Sequence, residues 1–165
     1  MIDVTTSYLV DAVHRFDDVF EAATEALQDV DFDTIVGTGM SGAIVVPRLA
    51  DLLNVSWVLV RRKNESNHAD GMLEGVMGNR WLFVDDLIAS GDTLQRVHEA
   101  INEEFAGKDW PLEFAGSWVY SESWGRHFYD PGDAPGEKRS RDRVKAALQG
   151  AAQLNSDYTV DRMLW

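Results

Sequence analysis

The sequence predicts an α/β domain, a mainly parallel central sheet flanked by helices. Two observations carry that expectation. Short runs rich in β-branched and aromatic residues alternate with helical periodicity, in the order strand, helix, strand, loop, strand, helix, strand. One of those runs, Ser56 to Val60 (SWVLV), is a nearly continuous apolar stretch of the kind buried on both faces in parallel sheets.

Taken in order, Ser7 to Asp29 reads as a helix, continuous or broken in two. Leu9, Val13, Phe16, Phe20, Ala23 and Leu27 recur there at steps of three and four. Phe32 to Val36 (FDTIV) is a short strand, ended by GTGMSG. Ala43 to Leu53 is helical and carries Pro47, which kinks a helix beyond its first turn and so leaves the start of this one open. After the SWVLV strand comes RRKNESNHADGMLEGVMGN, a mostly polar stretch, and loops of that length in compact domains are usually functional. RWLFV is the third strand, Asp92 to Glu104 a helix and Leu112 to Tyr120 the fourth strand. DPGDAPGE is a turn-rich connector, and KRSRDRVKAALQGAAQL reads as an amphipathic helix with a basic start. Residues 1–165 are expected to form one domain with its core at about 32–120. The N-terminal helix (7–29) and the C-terminal segment (121–165) are expected to flank it.

Composition narrows the functional classes. The chain is 45% hydrophobic and 26% charged, with a net charge of -13 and no cysteine. Disulfides, cysteine-based zinc sites and thiol catalysis are excluded. Such acidity repels a phosphate backbone, so no nucleic-acid partner is expected. No apolar run reaches the ~18 residues that a membrane span needs. MIDVTTSYLVDAVHRF also lacks the basic start of a signal peptide. A soluble, cytoplasmic protein without a membrane partner is expected.

The chemistry concentrates in Trp81 to Leu94, WLFVDDLIASGDTL. Ligands of open α/β sheets sit beyond the carboxyl ends of the strands, where Asp85 and Asp86 fall. Neighbouring residues on an extended chain point opposite ways, so one carboxylate is expected to face the ligand and the other to brace. The small-residue turn Ala89, Ser90, Gly91, Asp92, Thr93 opens a helix with N–H groups and hydroxyls, which suits a phosphate dianion. Carboxylates suit ribose hydroxyls and a hard cation such as Mg²⁺. Together these parts describe a ribose 5-phosphate pocket. The plainer alternative is a loop whose carboxylate pair caps a helix.

This segment resembles the signature for 5-phosphoribosyl-1-pyrophosphate (PRPP) of the type I phosphoribosyltransferases: apolar strand, two acids, two apolar residues, then a Thr/Ser-Gly-x-Thr turn. Asp92 departs from it, since the family more often has Gly, Lys or Ala there. The resemblance implies an enzyme that binds PRPP with Mg²⁺ and passes the phosphoribosyl group to a nitrogen acceptor, expected to be a nucleobase. Asp85 and Asp86 would meet the ribose and the metal, and the turn at 89–93 would hold the phosphate. Thr38, Gly39, Met40, Ser41 and Gly42 lie where the family holds pyrophosphate. The long loop is similar to that of orotate phosphoribosyltransferases: Arg62, Lys63, His68 and Gly71 fall on matching positions, and Arg62, Lys63 and His68 are candidate catalytic residues. Ser66 stands where that subfamily has a mobile lysine, and Asn67 replaces its aspartate. The family builds a hood over the base from its chain ends, here the N-terminal helix and WVYSESWGRHFYD. Trp118, Tyr120, Trp124, Phe128 and Tyr129 could stack a base there or simply pack, and Arg126 and His127 could meet an acidic one. A homodimer is expected by analogy.

Two other readings stay open. A PRPP- or nucleotide-sensing regulator with little turnover would keep the same pocket. GTGMSG also fits the G-x-G-x-x-G pattern of dinucleotide-binding folds, and Arg61 and Arg62 at the end of the second strand would suit NADP in an oxidoreductase.

Overall fold

The computed structural model describes residues 2–62 and 71–133. Lys63, Ser66, Asn67, His68 and the helix expected from Lys138 lie outside the described residues, as does the Trp124 side chain.

Six strands form one sheet: β1 (Thr34–Thr38), β2 (Ser56–Val60), β3 (Leu73–Gly75), β4 (Arg80–Asp85), β5 (Glu113–Val119) and β6 (His127–Tyr129). The order is β3-β2-β1-β4-β5-β6. The four central strands are parallel, with Thr34 opposite Ser56 on one side and Trp81 on the other. The edge strands β3 and β6 run antiparallel to β2 and β5.

Helices cover both faces because successive residues of a strand point to opposite sides. Ile35, Leu82 and Val84 face one way, into a core with Val45, Val46 and Leu49 of α3 (Gly39–Leu53) and Phe16 and Val19 of α2 (Phe16–Ala26). Val36, Trp81 and Phe83 face the other way, against Leu94, Val97 and Ile101 of α4 (Asp92–Phe105). The result is a three-layer α/β/α domain, with the carboxyl ends of the parallel strands opening toward one edge. Among the described residues no helix is long and apolar enough to cross a membrane.

The structure decides two readings that the sequence left open and departs from it in two places. The N-terminal helix breaks at Arg15, which separates α1 (Val10–His14) from α2, so the broken alternative is the one realised. α3 begins at Gly39 rather than Ala43 and carries Pro47 in its interior, where packing of Val45, Val46 and Leu49 offsets a missing backbone bond. It ends at Asn54 in the left-handed conformation, where the N–H of Val55 bonds the carbonyl of Ala50 at 3.0 Å. β3 and β6 had no sequence signal, since three residues are too few to establish a period. Trp118 and Tyr120 are fully buried in the core beside α2 and α3, so packing, rather than stacking on a base, accounts for both.

Candidate functional site

Seven of the polar residues that the sequence singles out, Thr38, Ser41, Arg62, Asp85, Asp86, Ser90 and Thr93, converge at the carboxyl ends of β1, β2 and β4. A cleft of about 360 Å³ opens there, lined by Thr38, Gly39, Met40 and Ser41 after β1, Arg62 after β2, and Asp85 to Gly91 after β4. Thr93 and Arg96 of α4 complete the wall.

Each wall follows from local sequence. The chain reverses from β1 into α3 at Gly39, whose φ of +68° is costly for any residue with a Cβ. A Cβ on Gly42 would stand 3.1 Å from the Gly37 backbone, so these two glycines let the first turn of α3 press against β1. Gly42 is buried, packs on Gly37 and does not itself line the cleft. The buried hydroxyl of Thr38 donates to the carbonyl of Val60 at 2.6 Å and pins the end of β1 to β2. Arg62 leans over the same turn: its guanidinium is the nearest group to a Cβ built on Gly39, at 3.7 Å.

On the opposite wall the two aspartates sit deep. Asp85 is 7% and Asp86 8% exposed, and both line the cleft. The strand ends at Asp85, so the two-residue alternation no longer governs Asp86 and both residues reach the cleft. Ser41 donates to Asp85 Oδ1 at 3.3 Å, and the N–H of Asp86 donates to the same oxygen at 2.9 Å. Burial and then the neighbouring Asp86 push the Asp85 carboxyl up to about 8. Behind the pair lies Tyr120, whose hydroxyl is buried with no hydrogen-bond partner among the described residues. Burial, then the charges of Asp86 and Asp85, keep it neutral far above its usual range.

The turn after β4 delivers α4. Gly91 is buried, with φ of +82°, and begins the helix, while the Ser90 hydroxyl accepts from the N–H of Asp92 at 3.3 Å. Ala89, Ser90, Gly91 and Thr93 line the cleft as expected. Asp92 does not: it is exposed and lies off the lining. An acid in the first turn of a helix is favourable there on its own account. Lys63 and His68 lie outside the described residues.

Three lining residues, Leu87, Ile88 and Arg96, were not singled out from the sequence. Arg96 stands three positions after Thr93, hence on the same helix face, and that spacing is the signal that could have found it. Conversely, Arg126 is committed elsewhere, donating to the carbonyls of Tyr120 at 3.1 Å and Asp18 at 3.2 Å. It ties the segment after β5 to the N-terminal helices, which Glu122 does too through its N–H bond to Asp11 at 3.0 Å.

No protein-family model matches the chain. It is 28% identical over 90 residues to an orotate phosphoribosyltransferase of Sulfurisphaera tokodaii, covering 54% of this chain and 46% of that protein. It is 29% identical over 75 residues to the Caenorhabditis elegans orotate phosphoribosyltransferase, covering 44% and 33%. The chain thus spans less than half the length of these curated relatives. Leishmania donovani UMP synthase superposes with a TM-score of 0.52 and 22% identity, over 66% of this chain and 22% of that one. The strand order matches that of a dinucleotide-binding sheet, but antiparallel β3 and β6 are unlike its all-parallel strands. In fold the chain is type I phosphoribosyltransferase-like, and over about half of its length its sequence is similar to orotate phosphoribosyltransferases.

Proposed function

We propose that the chain binds PRPP with Mg²⁺ and transfers the phosphoribosyl group to a nitrogen of a nucleobase, releasing pyrophosphate. One observation carries this reading: a buried carboxylate pair lies between two backbone turns suited to phosphates, all on one cleft.

The donor set fits a divalent cation. Burial, and then the neighbouring carboxylate, drive Asp85 toward its protonated form; a hard cation bound between the two acids would favour their charged forms. No cluster of three or more His, Asp or Glu able to hold a metal occurs among the described residues. Mg²⁺ commonly takes only one or two carboxylates and completes its shell with water and substrate phosphates. Asp85 and Asp86 would hold it, and it would supply positive charge to the departing pyrophosphate.

The chain's own groups account for the remaining needs. The N–H groups of Gly39 to Ser41 and the guanidinium of Arg62 would receive the pyrophosphate, whose charge grows as the bond to C1 of the ribose breaks. The turn at Ala89 to Thr93 would fix the 5-phosphate at the N-terminus of α4. Asp85 and Asp86 would accept from the ribose hydroxyls and stand near the positive charge developing at C1. Lys63 and His68 are proposed to join Arg62 from the loop, as the likeness to orotate phosphoribosyltransferases suggests. No side chain acts as a nucleophile, and a homodimer is proposed on the family likeness alone.

A PRPP-sensing role with little turnover is the second reading. It is favoured by Ser66 at the position of the loop lysine, and by the burial of Trp118 and Tyr120 and the bonding of Arg126, which remove them as base-binding groups. Incubation with PRPP, Mg²⁺ and each of orotate, adenine, uracil and hypoxanthine tests the enzyme directly. Base-dependent release of pyrophosphate supports transfer. PRPP binding without release for any base, at full PRPP occupancy, favours the sensing role instead.

A further inference from the structure

The second turn of α4 carries a cation with no assigned task. Arg96 lines the cleft, half-buried, and its Nε is buried without a hydrogen-bond partner among the described residues. Arg15 and Arg80 also leave Nε unbonded, but their terminal nitrogens reach carboxylates: Asp11 and Glu122 for Arg15, Asp31 and Glu113 for Arg80. Among the described residues no carboxylate forms an ion pair with Arg96.

We propose that Arg96 is a substrate-binding residue that takes a phosphate monoester, the 5-phosphate of the phosphoribosyl donor, together with the turn at Gly91 to Thr93. The inference rests on the phosphoribosyl reading above and assigns one side chain to one end of that ligand. Helical side chains lean toward the N-terminus, so a long residue at position 96 covers the turn before it, where the N–H groups of 91–93 emerge. Thr93 and Arg96 are three apart and both line the cleft, which sets a hydroxyl and a guanidinium on the same side of the bound group. A guanidinium meets two phosphate oxygens at once, a geometry that neither an ammonium nor the helix end alone provides. The whole chain carries a net charge of -13, so a cation beside the bound phosphate offsets a generally unfavourable field.

Calorimetric titration with ribose 5-phosphate and, separately, with Mg²⁺-pyrophosphate distinguishes the two ends of the cleft. Arg96→Gln should weaken ribose 5-phosphate at least tenfold, the size of about 1.4 kcal/mol for a lost charged hydrogen bond. Arg96→Lys should recover part of that loss, which a merely structural role would not predict. Pyrophosphate, held by Gly39 to Ser41 and Arg62, should stay within about threefold in both variants. Wild-type affinity for ribose 5-phosphate retained in Arg96→Gln, or an equal fall for both ligands, would overturn the assignment and leave the phosphoribosyl reading standing. A wild-type protein that binds neither ligand would overturn both.

Discussion

The two ends of the sheet treat their aspartates in opposite ways. At the amino ends of β1 and β4, Asp33 is exposed and well supplied with donors: the Thr34 hydroxyl at 2.7 Å and the N–H groups of Asn79 and Arg80 at 2.8 and 3.1 Å. Burial is the largest single influence and raises its carboxyl, but those bonds together outweigh it and hold Asp33 below the usual range. At the carboxyl ends, Asp85 has two donors, lies buried and faces another acid, and it is driven up to about 8. One carboxylate is satisfied and fastens β1 to β4. The other is left short of donors beside a cleft, and such under-satisfied polar groups are where a ligand gains most by binding.

The comparison breaks most readily at the site. Asp85→Asn/Asp86→Asn should lower PRPP affinity at least a hundredfold, since two charge-assisted contacts and the metal go together. Its melting temperature at pH 8 should hold or rise, because a repulsion has been removed. Stability that collapses in this variant would make the pair structural.

His98 asks whether burial alone marks a site. It is as deeply buried as Asp85 (3% exposed) and packs between Trp81 and Phe114, with ring centroids 4.6 and 4.5 Å away. Burial pushes it down to about 4. The unfolded imidazole, near 6.5, then binds more protons than the folded one, so stability is held above that pH and falls as pH drops toward 4. The loss is on the order of 3 kcal/mol. Denaturant melts of wild type and His98→Leu between pH 4 and 7 should show this slope in the first and a flatter curve in the second, with PRPP affinity at pH 7.5 alike.

Asp33→Ala is the counterpart of the double variant: about 1 kcal/mol of stability lost by chemical denaturation, and PRPP affinity within twofold. The smallest effect is expected of Asp92→Asn, less than twofold on PRPP affinity by calorimetry, because its side chain lies off the cleft. A larger gain would place the Asp92 carboxylate close to the bound phosphate.

Much of this was legible beforehand. The parallel core was, because after Ser56 and Arg80 the runs WVLV and WLFV are apolar and a buried strand can be read without its partner. The site was legible where chemistry and chain direction coincide: acids at a strand end followed by a glycine turn. What escaped was set by packing between distant segments. β3 and β6 exist as strands only because β2 and β5 offer free edges, so three residues carry no period of their own. Gly42 and Asp92 sit inside matching motifs, yet one presses on Gly37 and the other points out, a distinction that motif spacing does not contain. Arg96 was hidden by being one helical turn past the motif.

The most direct test is a calorimetric titration of the wild-type protein with PRPP, with and without Mg²⁺. Saturable binding that strengthens on adding Mg²⁺ is the predicted result. No heat with PRPP in either condition, at protein concentrations that would detect millimolar affinity, would contradict the account.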